Sequence, residues 1–239
     1  MYTPRHFTMP PDLQERILAA PGVGDLVTVG DDGLVATHLP YVFDPELGPH
    51  GSLVLHVARP NEQGRRPAHG EALFIITAAT DYISALWYPS AAESGKLVPT
   101  WDYVTLHIYG RLVIHDDLAW TTAAVEALMA VHEKTFTMAD MPADYVAGQL
   151  RAIVGLQLEI TRIEAKAKLS QNRTVPDVRG VIDGLRQTGA DDTAELVTEF
   201  GLPAAERREA LVAEVKARHR PGKDSLGGGR VVGTPTPLT

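Results

Sequence analysis

The sequence predicts a small antiparallel β-barrel with helices added late in the chain. Three observations carry this. Five short apolar runs, "DLVTV", "LVATHLP", "SLVLHVA", "ALFIIT" and "YVTLHIYGRLVI", follow one another at short intervals. A sixth, "AIVGLQLEITRI", arrives only after an insertion of helical period, and from about Pro176 no convincing strand remains. That order favours an antiparallel barrel over a βαβ sheet, where helices would alternate with strands from the start.

The elements justify themselves in turn. "PDLQERILAAP" spaces Leu13, Ile17 and Leu18 on one helical face and is stopped by Pro21 and Gly22. The first two strand runs flank "GDDG", a hairpin signal because Asp-Gly accepts positive φ angles. "THLP" is read as closing the second strand, with Pro40 holding the residues before it out of helical geometry. Val104, Leu106 and Ile108 alternate with Thr105, His107 and Tyr109, so one sheet face is apolar, and Gly110 marks a bulge. "DLAWTTAAVEALMAVHEKTF" reads as an amphipathic helix with Trp120, Ala124, Leu128 and Val131 along one side, followed by a shorter helix over 143 to 151. The sixth strand points Val154, Leu156, Leu158 and Ile160 inward and Gln157, Glu159 and Thr161 outward, and "KAKLSQNR" follows it. Residues 1–190 are expected to form the barrel domain, 191–219 a helical extension, and 220–239, rich in Gly, Pro and Thr, a flexible tail.

Composition narrows the chemistry. At 239 residues, 44% of them hydrophobic and 22% charged, the chain reads as an ordinary globular protein able to bury its own core. It has no cysteine, which excludes disulfides, thiolate metal sites and a cysteine nucleophile. The N-terminus shows no signal-peptide pattern and no apolar run nears the roughly 18 residues of a membrane span, so a cytoplasmic location is expected. The formal net charge of -8 gives no support for gripping DNA, because phosphate contacts call for a basic stripe. There is no Walker-type loop and no G-x-S-x-G elbow, and His132-Glu133 lacks a second histidine because position 136 is Phe. No residue declares itself a catalytic base, and no metal site is expected.

What remains is polar and aromatic. Lys168, Ser170, Gln171, Asn172 and Arg173 crowd donors into a segment with no acid, as an anion site would. "DYISALWYPS" supplies Tyr82, Ser84, Trp87 and Tyr88, and "KLVPTWDY" adds Lys96, Thr100, Trp101 and Tyr103. Against 6% aromatics overall, this density suits the walls of a flat aromatic ligand. The same rings would equally fill a barrel end or a dimer seam, and lysines after a strand are commonly just solvated.

Taken in order, "MYTPRHF", "ATHLP", "HVARPN", "YIS" and "WYP", "VPTWDY", "VHE", "IVGLQLEI" and "KLSQNR" resemble the PaiB family of FMN-binding transcriptional regulators. The resemblance runs from residue 1 to about 185. It implies an FMN-binding split β-barrel of the pyridoxamine-phosphate-oxidase kind, mainly β with C-terminal helices added, and a homodimer with flavin sites where subunits meet. Carried onto this sequence, Thr37, His38 and Leu39 would meet the flavin ring or ribityl chain and the aromatics would cover the ring. The 168–173 segment would hold the phosphate. Asp102 departs from the family, which commonly has Asn there. The expected function is an FMN-binding negative transcriptional regulator, with direct DNA contact doubtful. The alternatives are an FMN-dependent oxidoreductase on the same barrel, and a haem-binding split barrel with His6, His38 or His107 as an axial candidate.

Overall fold

Alternating apolar residues close six antiparallel strands into one barrel. The computed structural model describes residues 1–95 and 98–219. The strands are β1 (Gly22–Gly30), β2 (Gly33–Asp44), β3 (Ser52–Ala58), β4 (Ala72–Ile83), β5 (Thr100–His115) and β6 (Ile153–Lys168). They lie in the order β1-β2-β3-β6-β5-β4, and β1 closes the barrel by pairing with β4 through Asp25↔Ile75, Leu26↔Phe74 and Val27↔Leu73. Gly33 takes φ +110° opposite Gly30, which is the positive-φ corner that the Asp-Gly turn requires.

Inward residues of each strand make the core. Leu26, Leu53, Leu55, Phe74, Val104, Leu106, Ile108, Leu156 and Leu158 are fully buried. Helix α1 (Pro11–Ala19) sets Leu13, Ile17 and Leu18 against them, and the Tyr41 hydroxyl donates to the Ile17 carbonyl at 3.2 Å. α2 (Pro89–Ser94) follows β4, while α3 (Leu118–His132) and α4 (Ala143–Arg151) fill the connection between β5 and β6. After β6 come α5 (Val175–Gln187), α6 (Asp191–Leu196), a π-helical segment Val197–Gly201 and α7 (Leu202–Arg218). Val178, Val181, Leu185, Ala194, Val197 and Ala205 of these helices join the barrel's own core.

Three boundaries differ from the sequence reading, two of them because a neighbouring strand extends the ladder and one at a helix end. "THLP" does not end β2, which runs on to Asp44 by pairing with β3 through Val42↔Val54 and Asp44↔Ser52. β6 continues to Lys168 because β5 pairs with it as far as Tyr103↔Lys168, so Lys166 and Lys168 are strand residues. α3 stops at His132, and Val131 in its last turn is exposed while Leu128 is buried. Gly110 does sit at a register shift, where a Cβ would stand 2.2 Å from the Glu159 carbonyl oxygen. The expected tail from Arg220 onward lies outside the described residues.

Candidate functional site

β5 and β6 alternate, so Trp101, Tyr103, His107, Glu164, Lys166 and Lys168 all belong to the outer face. Pairing continues that face across the barrel, through His107↔Ile75, Ile75↔Asp25 and Asp25↔His38. One end of the stripe is aromatic. Tyr82 and Trp101 face each other across β4 and β5 with centroids 5.9 Å apart and planes at 73°, each about half exposed. The other end is polar. His38 Nδ1 lies 2.8 Å from Asp25 Oδ1, both side chains exposed. Thr37 points the opposite way and accepts a 3.0 Å bond from Asn61 Nδ2. Leu39 is buried in the core, so its side chain is closed to a ligand.

The two ends are far apart. Six residues of β5 separate Trp101 from His107, roughly 20 Å at about 3.4 Å per residue, before crossing to β2. Within one chain the structure therefore does not bring Thr37 and His38 together with Tyr82 and Trp101.

The donor-rich segment is more occupied than its sequence suggests. Asp102, fully buried, receives Ser170 Oγ at 2.6 Å and Lys168 Nζ at 3.2 Å. Lys168 also donates to Thr100 Oγ1 at 3.0 Å and to the Trp101 carbonyl. Gln171 is buried: its Oε1 accepts from Leu169 N at 2.7 Å and its Nε2 donates to the Ala167 carbonyl at 2.6 Å. Burial pushes the Asp102 carboxyl above the usual carboxylate range, with Lys168 and Ser170 acting against that. Lys168, Ser170, Gln171 and Thr100 are thus drawn into one network around Asp102 and the adjoining main chain. Asn172 stays exposed, and Arg173 lies over the Tyr88 ring, 4.7 Å from its centroid.

Trp87, Tyr88 and Ser84 have structural partners as well. Ser84 Oγ accepts from Leu86 N at 3.2 Å and so caps the 3-10 turn Ala85–Trp87. Trp87 lies on a glycine shelf of α5, where a Cβ at Gly184 would come within 2.2 Å of its ring. Tyr88 is buried, which raises its phenol's pKa, the charge of Arg173 opposing. Lys96 lies outside the described residues.

Sequence reading missed Asp25 and Asn61. Asp25 carries no motif of its own and becomes visible only once the β1–β2 register sets it opposite His38. Asn61 sits inside the quoted "HVARPN", but its bond to Thr37 spans 24 positions.

A family model described as "Putative FMN-binding domain" matches residues 1–162. The chain belongs to that family. The match ends before the 168–173 segment and before all of α5, α6 and α7. A relative from Bacillus subtilis (strain 168), "Protease synthase and sporulation protein PAI 2", is 30% identical over 214 residues, covering 83% of this chain and 97% of its own. An uncharacterized protein of Saccharomyces cerevisiae is 33% identical over 107 residues, 44% of this chain and 63% of the other. Among solved structures, a conserved hypothetical protein of Mycobacterium tuberculosis aligns with TM-score 0.49 at 13% identity, covering 70% of this chain and 91% of that one. A flavocytochrome of Azotobacter vinelandii aligns with TM-score 0.48 at 10% identity, covering 66% and 67%.

Proposed function

We propose that this chain acts as an FMN-binding homodimer of the PaiB type, with the flavin lying where two copies meet, and that flavin occupancy governs a regulatory output. One observation carries the reading. The outer stripe offers an exposed Tyr82–Trp101 wall at one end and a polar edge at His38 at the other, too far apart for one flavin ring to touch both. A second copy related by a two-fold axis would place the polar end of one chain against the aromatic end of the other. Val23, Leu86 and Val98 are also exposed, as a flank awaiting a partner would be.

The residues fit the group. Exposed rings can stack on isoalloxazine, His38 can meet its polar edge, and Arg173 with Asn172 keeps a cation and an amide for the phosphate. FMN supplies electron transfer when bound, and the chain supplies orientation and access. Regulation through a protein partner agrees with the acidic surface better than direct operator binding does.

A second reading, an FMN-dependent oxidoreductase, is favoured by the His38–Asp25 pair at 2.8 Å, which is placed to hold or pass a proton beside a bound ring. Steady oxidation of NADH or NADPH by the FMN-loaded protein would select it.

The test is titration of apo-protein with FMN and riboflavin alongside sedimentation. FMN is expected to bind a dimer more tightly than riboflavin does. Trp101→Ala should weaken both ligands by about tenfold, as the loss of roughly 1–1.5 kcal/mol of ring contact implies. Arg173→Ala should weaken only FMN, by tenfold or more, because a charged hydrogen bond contributes about 1.5–3 kcal/mol. A stable 25.9 kDa monomer at micromolar concentration, or a Soret band in place of flavin bands, would overturn the reading.

A further inference from the structure

A cavity of about 520 Å³ opens at the seam between the N-terminal segment, the loop after β6 and the start of α7. Its position follows from one glycine. A Cβ at Gly201 would stand 2.3 Å from the Leu169 carbonyl oxygen, so only glycine lets α7 begin directly against that loop. The approach brings Arg207 and Arg208 of α7 to the same cavity as Arg5 and His6.

The charge there runs against the rest of the protein. Arg5 and Arg207 are exposed and form no ion pair among the described residues. Arg208 is half-buried: Nη2 donates to the Arg173 carbonyl at 2.6 Å, while its Nε is buried with no acceptor. Two acids also line the cavity. Glu199 is held by Arg16, whose Nη1 lies 3.0 and 2.9 Å from its two oxygens, which among the described residues leaves Asp12 as the one unpaired carboxylate against three guanidinium groups. A chain of formal charge -8 thus concentrates positive charge in one recess.

We propose that this recess binds a phosphate monoester with a compact organic body, as a site separate from the flavin surface. Guanidinium forks match the oxygens of a phosphate group, and Arg5 and Arg207 are exposed to supply them. Phe200 and Pro203 give the organic body an apolar wall, and the volume is in the range of small-molecule sites. The π-helical turn Val197–Gly201 that carries Glu199 and Phe200 is a feature that recurs at functional sites. Because the loop behind the cavity also carries Arg173, occupancy there would be felt by the flavin's own phosphate contacts.

The experiment is calorimetric titration of the full chain with AMP, inorganic phosphate, adenosine and succinate, with and without saturating FMN. AMP is expected to bind at least tenfold more tightly than adenosine or succinate. Arg208→Gln should weaken AMP tenfold or more. Should that variant fail to fold, Arg5→Ala with Arg207→Ala, both surface changes, should weaken AMP at least as much while leaving riboflavin affinity unchanged. The proposal is overturned if neither AMP nor phosphate binds, if adenosine binds as well as AMP, or if the double variant has no effect. One-for-one displacement of AMP by FMN would also overturn it, since the recess would then be the flavin's phosphate cradle.

Discussion

Asp102 shows how one residue changes the meaning of its neighbours. Its carboxylate takes up Lys168 and Ser170, and Ser170 adopts φ +60°, a left-handed conformation costly for a side chain other than glycine's. The bonds to Asp102 and the pairing of Gln171 with the main chain on either side hold that turn in place. A folded-state pKa raised by burial means that the folded protein holds this proton more tightly than the unfolded chain does. The stability it contributes is full below the ordinary aspartate range and is lost as pH rises through the folded value. Asp102→Asn imitates the protonated form. Its urea midpoint relative to wild type should therefore rise as pH climbs above the ordinary aspartate range and level off once the folded-state value is passed. A difference that shrinks as pH climbs would mean that the Lys168 pairing outweighs burial.

At the scale of elements, α5 is the fixture against which the aromatic exit of β4 packs. Thr174 caps it, and Asp177 Oδ1 and Oδ2 accept from Ser90 N at 3.0 Å and Ser90 Oγ at 2.7 Å, tying the head of α2 to the first turn of α5. Burial pushes the Asp177 carboxyl up, but the bonds from Ser90 and Thr174 outweigh it and hold the pKa below the usual value. Gly180 and Gly184 let Trp87 lie on the helix: a Cβ would meet the Trp87 carbonyl oxygen at 2.0 Å or its ring at 2.2 Å. Gly184→Ala is expected to destabilise by about 1–3 kcal/mol, despite alanine's better helix propensity, because the ring must move. Gly148→Ala in α4 provides the contrast. Nothing lies within 4 Å of its Cβ position, so the substitution should stabilise by about 0.5–1 kcal/mol. Chemical denaturation of the two variants side by side reads both signs.

For the whole molecule, charge decides which partners are admissible. α7 carries Arg207, Arg208, Lys216 and Arg218, yet Glu214 pairs with Arg218 at 2.5 Å, Glu206 lies 3.8 Å from Arg179, and Glu209 accepts from Val175 N at 2.8 Å. Acids therefore interrupt the helix as a basic face. Generic duplex DNA should bind the purified protein more weakly than about micromolar at physiological salt, as an anisotropy titration would show. Tight, salt-sensitive binding without a partner would instead favour direct repression. Among the described residues no helix is long and apolar enough to cross a membrane.

The sequence by itself determined the strands' inward faces. Val104, Leu106, Ile108, Val154, Leu156, Leu158 and Ile160 are all buried, because a period of two is a local property of extended chain. It also determined the hairpin at Gly30–Gly33 and the late helices, since turn chemistry and helical period are equally local. The motif blocks identified the family, because side-chain order survives without coordinates. Only the tertiary structure decided which polar groups remain free. Lys168 and Ser170 read as open donors until β5 places Asp102, 66 and 68 positions away, against them. Trp87 reads as a ligand wall until Gly184 of α5 receives it. The separation of His38 from Trp101 is likewise set by register across four strands, and register depends on pairing between distant segments that no local pattern encodes.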